Sequence, residues 1–300
     1  MNGGGPALVP LGPDRLRVER GPVSLIIAAR WGGETRPALL EAAGRRTLEV
    51  LSELAEYRTL VATDARRIRH AQALPPVVGA MWEATLPHRE RFLTPLIAVA
   101  GAVADSIANW LAAAGASWIL VNNGGDVAIR LAAGESATVG VAARLGAPPS
   151  ARFRVTASDS VGGVATSGFG GRSFTLGIAD AVTVVGESGA AADAAATLVA
   201  NDVDVESRSV ERVLAGGVDP ETDLRGLRVT RSVGPLSAAE VARALDRGGA
   251  TAADFLERGL IRGALLFLRG ERRLVGFPGS ERLEFSPGGE AINASVAGGV

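Results

Sequence analysis

The sequence predicts an α+β fold of mixed, largely antiparallel sheets with helices packed against them. Three observations carry this. Two β-rich runs near the start lead directly into a long amphipathic helix, the centre is a succession of short β-rich runs broken by turns, and helical stretches lie between the strand groups.

In chain order, "RLRVERGPVSLIIAAR" from residue 15 reads as two strands joined at Gly21-Pro22. "RPALLEAAGRRTLEVLSELAEY" then places Leu40, Ala43, Leu48, Leu51 and Leu54 near helical spacing. From Arg58 to Pro95, prolines 75, 76, 87 and 95 punctuate a short helix, "VVGAMWEAT". A helix rich in small residues follows from Ile97 to Ala114, then the strand "SWILV", the turn "NNGGD" and the strand "VAIRL". "ATVGVAAR" and "ARFRVTA" read as strands and residues 158–173 as a Gly/Ser-rich loop. "AVTVVG" reads as a buried strand running into the alanine-rich helix "GAAADAAATLVAND". The last third reads as a strand, a helix capped at Ser237, a short helix at "FLERGL" and a hairpin turning at Gly270-Glu271. No internal repeat is evident. Residues 1–14 and 286–300 read as flexible ends around one domain, 15–285.

Composition excludes several classes of chemistry. All 31 basic residues are arginine, so no lysine is present to form a Schiff base or serve a P-loop. Cysteine is absent and the only histidines are His70 and His88, which excludes sulfur- or histidine-built metal centres. Each histidine reads by default as a surface residue. A formal charge of -1 without a basic stripe argues against a nucleic-acid or anionic-membrane partner. The start lacks the basic and apolar regions of a secretory signal, and Asp105 and Asn109 interrupt the longest apolar run, which favours a core helix over a membrane span. The expectation is a cytoplasmic protein. A homodimer is expected on general grounds only.

Four stretches bear candidate chemistry. "VNNGGDV" is a tight turn whose bare glycines, Gly124 and Gly125, also let a ligand approach backbone N–H groups, with Asn123 and Asp126 at the rim. "GGVATSGFGGRS" combines five glycines with Thr166, Ser167, Arg172 and Ser173; it reads either as a surface loop or as an anion-binding concavity with one fixed positive charge.

On the alanine helix, Asp193, Thr197 and Asn201 recur every fourth residue and form one oblique stripe. A carboxylate, a hydroxyl and an amide are hard oxygen donors suited to Mg²⁺ or Ca²⁺. The alternative is structural, with Asp193 serving the helix dipole and Thr197 bonding back to the carbonyl one turn earlier. Asp105 and Asn109 share a face of an otherwise apolar helix; a buried Asp there demands solvent, a cation or a helix N-terminus.

Taken in order, "AVAGAVADSI", "VNNGGDV", "VATSG", "GIADAVTVVGES" and "AADAAATLVAND" resemble the motif series of the ApbE-like superfamily, whose best-known members are FAD:protein FMN transferases. The chain is most similar to that superfamily's uncharacterised-protein-family branch. The resemblance covers about residues 15–285 and implies an ApbE-like (T-fold-like) α+β domain with a nucleotide, FAD or FMN, lying across the Gly-Gly turn. It implies Mg²⁺ on Asp193 and Thr197. It also implies ligand-binding roles for Gly124, Gly125, Asp126, Thr166, Ser167, Gly168 and Asp105, to which the turn adds Asn123; Asp180, kept from the family motif, joins Arg172 and Ser173 of the Gly-rich loop as the candidate catalytic residues.

Departures accompany these matches. The transferases' lysine in the first motif is Ala100, and their "HIIDP" corresponds to "GIADA", which keeps Asp180 but puts Gly177 where the histidine stands. Loss of a positioned acid or base costs about 10²- to 10⁴-fold in rate. The expected function is therefore a Mg²⁺-assisted flavin-nucleotide site with transferase or hydrolase chemistry in which FMN transfer is weak or lost. The competing expectation is an enzyme or binding protein for another small anionic metabolite, held through Arg172, Ser167 and Ser173.

Overall fold

The computed structural model describes residues 5–21, 23–68, 74–141, 148–278, 283–285 and 296–297. It begins with an antiparallel meander of β1 (Ala7–Gly12), β2 (Arg15–Arg20) and β3 (Val23–Arg30). Residues 7–12 were expected within a flexible end. They instead form an edge strand, because Leu8 packs onto the core while Pro10, which cannot donate to a ladder, is tolerated at an edge.

Helices α1 (Pro37–Glu56), α2 (Arg58–Val61) and α3 (Pro76–Glu83) follow, then a 3₁₀ turn at Pro95–Ala98 and α4 (Val99–Ala113). The stretch Pro95–Ala113 is long and apolar enough to cross a membrane, yet Ala102, Val103, Ala104, Ile107, Ala108 and Leu111 of α4 are buried in the core. Strands β4 (Trp118–Asn123) and β5 (Asp126–Leu131) form the hairpin read from "NNGGD".

Strands β6 (Ser136–Val141) and β7 (Ala151–Thr156) leave the main sheet as a separate hairpin; β8 (Gly163–Ser167) and β9 (Ala181–Gly186) return to it. β8 lies inside the stretch expected to be loop. Its glycines reflect close packing: a Cβ on Gly163 would lie 2.3 Å from the Gly189 nitrogen, and one on Gly162 1.9 Å from the Glu187 carbonyl. A strand pressed this hard against a helix N-terminus has the composition of a loop.

The chain continues through α5 (Gly189–Asp202), β10 (Val210–Leu214), α6 (Ala215–Val218), β11 (Arg228–Val233) and α7 (Ala238–Glu257) to the hairpin β12 (Gly263–Leu268) and β13 (Glu271–Gly276). Ser237 caps α7, as the sequence predicts, and Glu240 completes a capping box by reaching back to it. The separate short helix expected at Phe255 is the last turn of α7, and the hairpin turns at Arg269-Gly270, one residue earlier than expected, where both residues have positive φ. β14 (Leu283–Phe285) pairs with β7 and β15 (Val296–Ala297) with β6. The rest of the expected C-terminal tail, 286–295 and 298–300, lies outside the described residues.

Among the described residues the strands make a nine-stranded antiparallel sheet ordered β1-β2-β3-β4-β5-β8-β9-β12-β13, a four-stranded sheet ordered β14-β7-β6-β15 and the pair β10-β11. The long sheet separates the core in two. On one face α1, α3 and α4 pack over residues such as Val18 and Ile27, with α5 and α7 over Val184 and Leu266; on the other, Trp118 and Ile129 meet Val139 and Phe153 of the small sheet. The α+β class with largely antiparallel sheets is thus the fold of the chain.

Candidate functional site

Helices α4 and α5 carry nearly the same five residues in their opening turns, "GAVAD" at 101–105 and "GAAAD" at 189–193. They cross at those glycines: a Cβ on Gly101 would stand 2.1 Å from the Gly189 carbonyl oxygen, a contact only glycine permits. The carboxylate one turn on from each glycine reaches the other helix. Asp105 Oδ2 accepts the Ala190 N–H at 2.9 Å, and Asp193 Oδ2 accepts the Gly101 N–H at 3.0 Å. Each acid thereby satisfies orphan donors in its neighbour's first turn and lies at the positive end of its dipole. The short match becomes meaningful only through this exchange of carboxylates between the two helices.

The two acids then differ in what neutralises them. Asp105 pairs with Arg130 at 2.9 Å, and that guanidinium also reaches the Asn109 amide oxygen and the Gly162 carbonyl. Asp193 has no arginine partner within ion-pair distance among the described residues and faces a cleft instead. Thr197 and Asn201 share that outlook, whereas Ala194, Ala195, Ala196, Leu198 and Val199 are buried. The stripe read from spacing is therefore a real face. Within it, Thr197 Oγ1 donates to Ser167 Oγ at 3.3 Å and does not bond back along its own helix. Asn201 is committed elsewhere, since its amide oxygen accepts the Leu176 N–H at 2.9 Å and so fixes the loop after β8.

The opposite wall comes from the β4–β5 turn and the ends of β5 and β8. Gly124 and Gly125 have φ of +69° and +121°, and the Gly125 N–H donates to Asn122 Oδ1 at 2.9 Å. Asn123 Nδ2 donates to the Ala100 carbonyl at 3.2 Å, joining the turn to α4. Asp126 Oδ1 accepts the Thr166 N–H at 3.1 Å, while the Thr166 and Thr183 hydroxyls share a hydrogen bond of 2.8 Å. The guanidinium of Arg172 lies over the turn: a Cβ on Gly124 would meet Arg172 Nη2 at 2.0 Å. The bare glycine thus seats an arginine, which is a different use from the ligand approach expected for it.

These parts enclose two adjoining lobes that share Asp126, Thr166, Ser167, Arg172 and Ser173. One, of about 410 Å³, runs past Gly124 and Gly125 to Val23, Leu51 and Val103. The other, of about 520 Å³, runs past Asp193 and Thr197 to Phe92, Leu96 and Leu224. Arg172 and Asp126 stand where the lobes meet, and Asp193 lines the larger one. Each lobe is within the size range of a small-molecule site, and the arginine at their junction, or neck, suits a ligand with a negatively charged middle.

Burial pushes Asp126 up to about 7, opposed by the Thr166 N–H and the charge of Arg172. Burial also raises Asp193 well above the usual carboxylate range, and the neighbouring charge of Asp126 raises it further, against the N–H groups of Gly101 and Ala100. Two enclosed carboxylates that disfavour each other's ionisation are relieved by a cation between them. Among the described residues no three acidic or histidine side chains converge on one point. The available donors are carboxylate and hydroxyl oxygens, which fits Mg²⁺ completing its shell with water and ligand oxygens, and does not fit zinc.

Other expected site residues stand apart. Asp105 is 6% exposed and lines neither lobe, so its assignment to ligand binding is corrected: it joins two helices and a guanidinium. Asp180 borders the smaller lobe, but its Oδ2 accepts the Arg269 N–H at the β12–β13 turn, which makes it an anchor of the loop. Gly168, at φ +140°, would place a Cβ 2.9 Å from the carbonyls of Ala179 and Asp180 and so lets the loop fold back. His88 is a buried residue, contrary to its surface reading; its ring packs on Phe255 with centroids 4.6 Å apart, and burial pulls it down to about 4. His70 lies outside the described residues.

Fold and cleft together define a class, an antiparallel α+β protein with a cleft between a Gly-Gly turn and an alanine-rich helix. The profile of the family described as AbpE bacteria matches residues 7–274, and the chain belongs to this family, within the ApbE-like superfamily. It is 35% identical over 154 residues to the UPF0280 protein MK0206 of Methanopyrus kandleri, an alignment covering 51% of this chain and 55% of that one. It is 41% identical over 120 residues to the UPF0280 protein of Methanoculleus marisnigri, covering 39% and 48%. The chain spans about half the length of the curated relatives it matches. Among solved structures it is similar to the apo form of the flavinyl transferase ApbE of Pseudomonas stutzeri, with a TM-score of 0.42 and 14% identity over 86% of this chain and 92% of that one.

Proposed function

We propose that the cleft binds a flavin nucleotide, FAD or FMN, with the help of Mg²⁺ held by Asp193 and Thr197. The observation that carries this reading is the unequal treatment of the two exchanged acids. Asp105 has its positive partner in Arg130, whereas the equivalent Asp193 turns toward the cleft without one. A cation there completes the pair. The two lobes and the arginine at their junction support a dinucleotide whose pyrophosphate crosses the neck and whose rings occupy the ends.

In this reading Asp193 and Thr197 hold the ion, and Asp126 faces it from across the neck. When bound, Mg²⁺ supplies Lewis-acid neutralisation of the pyrophosphate oxygens. Arg172 neutralises charge on the phosphoryl group being transferred, while Ser167 and Ser173 orient it by hydrogen bonds. No side chain replaces the histidine of the transferases at position 177. A Cβ on Gly177 would lie 2.0 Å from the Ala200 carbonyl oxygen, so the backbone of α5 occupies that space. The transferases' histidine is thus absent from that position, and the reading favours hydrolysis of the pyrophosphate bond, FAD and water giving FMN and AMP, over FMN transfer to a protein.

Calorimetric titration of FAD with and without Mg²⁺, followed by chromatography for FMN and AMP, tests this. Mg²⁺-dependent binding with slow FMN and AMP release supports it. No FAD binding in either condition sinks it and favours the rival assignment to another small anionic metabolite, which mass spectrometry of copurified ligand would identify.

A further inference from the structure

The larger lobe has a wall away from the Asp193–Thr197 face and the Gly-Gly turn. One side is the segment Phe92–Ile97 before α4, and the other is the loop 219–227 between α6 and β11. Thr94 Oγ1 donates to Asp223 Oδ2 and so bridges the two segments. Leu93 and Thr94 are 6% and 3% exposed, but Phe92 is 39% exposed and lines the cavity, with Leu96, Leu224 and Leu227 completing an apolar surface. Among the described residues Asp223 Oδ1 has no protein donor.

Resting on the reading of the cleft as a nucleotide site, we infer that this lobe takes the amine-bearing purine of the nucleotide, with Phe92 stacking on the ring and Asp223 accepting from its exocyclic amine. A flat aromatic face beside an apolar cavity suits any base, because every base has a π-face. The carboxylate makes the choice. The free carboxylate oxygen is an acceptor, so it matches an exocyclic amine and opposes the carbonyl oxygens that dominate the edge of an isoalloxazine. The flavin ring is thereby assigned to the smaller lobe, against Val23, Leu51 and Val103. Phe92 and Asp223 are specificity-determining residues in this arrangement, outside the cation site and the neck.

The test is calorimetric binding of ADP, IDP and FMN to the full chain in Mg²⁺, for wild type and for Phe92→Ala, Asp223→Ala and Asp223→Asn, with thermal melts to confirm folding. ADP should bind wild type about tenfold more tightly than IDP, which carries a carbonyl in place of the amine. Phe92→Ala should weaken ADP about tenfold or more and leave FMN within about twofold. Asp223→Ala should erase the preference for ADP over IDP, and Asp223→Asn, which keeps an acceptor, should restore part of it. ADP binding that ignores both residues, or variants that lose FMN and keep ADP, would overturn the assignment while leaving the nucleotide site standing. Binding of ADP without any flavin would remove the flavin reading and leave this one. Binding of neither ADP nor FMN would overturn both.

Discussion

Asp105 and Asp193 cap each other's helices: each lies one turn beyond the glycine at which α4 and α5 cross, and each accepts a backbone N–H from the first turn of the other helix. The pair shares geometry and divides labour. Asp105 is closed by Arg130, and Asp193 opens on the cleft.

That division predicts opposite phenotypes. Asp105→Ala leaves Arg130 without its carboxylate in a largely enclosed site and should destabilise the protein by about 3–5 kcal/mol in urea denaturation. Asp193→Asn keeps most of the packing and should cost only about 1 kcal/mol or less, while lowering Mg²⁺-dependent ligand binding about 100-fold. Comparable stability losses with binding unchanged in both would separate Asp193 from the cation.

The helix crossing predicts intolerance at a small residue. Gly101→Ala sets a methyl group 2.1 Å from the Gly189 carbonyl. Backbone cannot yield as a side-chain tip can, so the cost should reach at least the 1–3 kcal/mol typical of overpacking, roughly, by denaturant midpoint. Gly177→His, the substitution that would restore the transferases' histidine, meets the Ala200 carbonyl and should unfold the protein without creating FMN transfer. A well-folded, transfer-active variant would show that the loop has room the geometry denies.

Acid and base act on the site with a defined sign. Asp126, pushed up to about 7, holds a proton in the folded chain that the unfolded chain releases near 3.8. Across that window the folded state binds more protons, so its contribution makes stability fall as pH rises, levelling above about 7. His88 works the other way: its folded value of about 4 lies below 6.5, so its contribution is lost as pH falls from 6.5 through 4. Thermal melts of Asp126→Asn and His88→Phe against wild type should separate the two slopes. Since a cation needs ionised carboxylates, the Mg²⁺-induced rise in Tm should be small near pH 5 and full near pH 8, roughly. A rise independent of pH would place the ion elsewhere.

The arginine at the neck should act on the ligand rather than the fold. Arg172 is exposed and touches Gly124. Arg172→Ala should weaken a pyrophosphate ligand about 10- to 100-fold with Tm changed by a degree or two at most, roughly. Equal loss of riboflavin, which carries no phosphate, would contradict a phosphate-directed role.

Much of this architecture was readable before any coordinates. The β4–β5 hairpin, α1 and the Ser237 cap of α7 each follow from local periodicity and turn chemistry, which is where single-sequence reasoning is strongest. β1 and β8 were misread because their residues answer to tertiary contacts. Pro10 is harmless only at an edge, and Gly162 and Gly163 are small only because α5 presses on them. At the site, the spacing of Asp193 and Thr197 revealed a face, whereas the roles of Asp105 and Asn201 depended on partners 85 and 25 residues away in sequence. The loop with Asp223 carried no sequence signal, because an isolated Asp in a turn-rich stretch looks like any other surface acid.

The central claim is that a cation on Asp193 and Thr197 governs ligand binding in the cleft. Calorimetric titration of FAD into wild type and Asp193→Asn, each in Mg²⁺ and in EDTA, tests it most directly. Binding should be tight only for wild type in Mg²⁺, with the other three combinations weaker by about 100-fold. Equal affinity for wild type in Mg²⁺ and EDTA, or for Asp193→Asn and wild type in Mg²⁺, would contradict it.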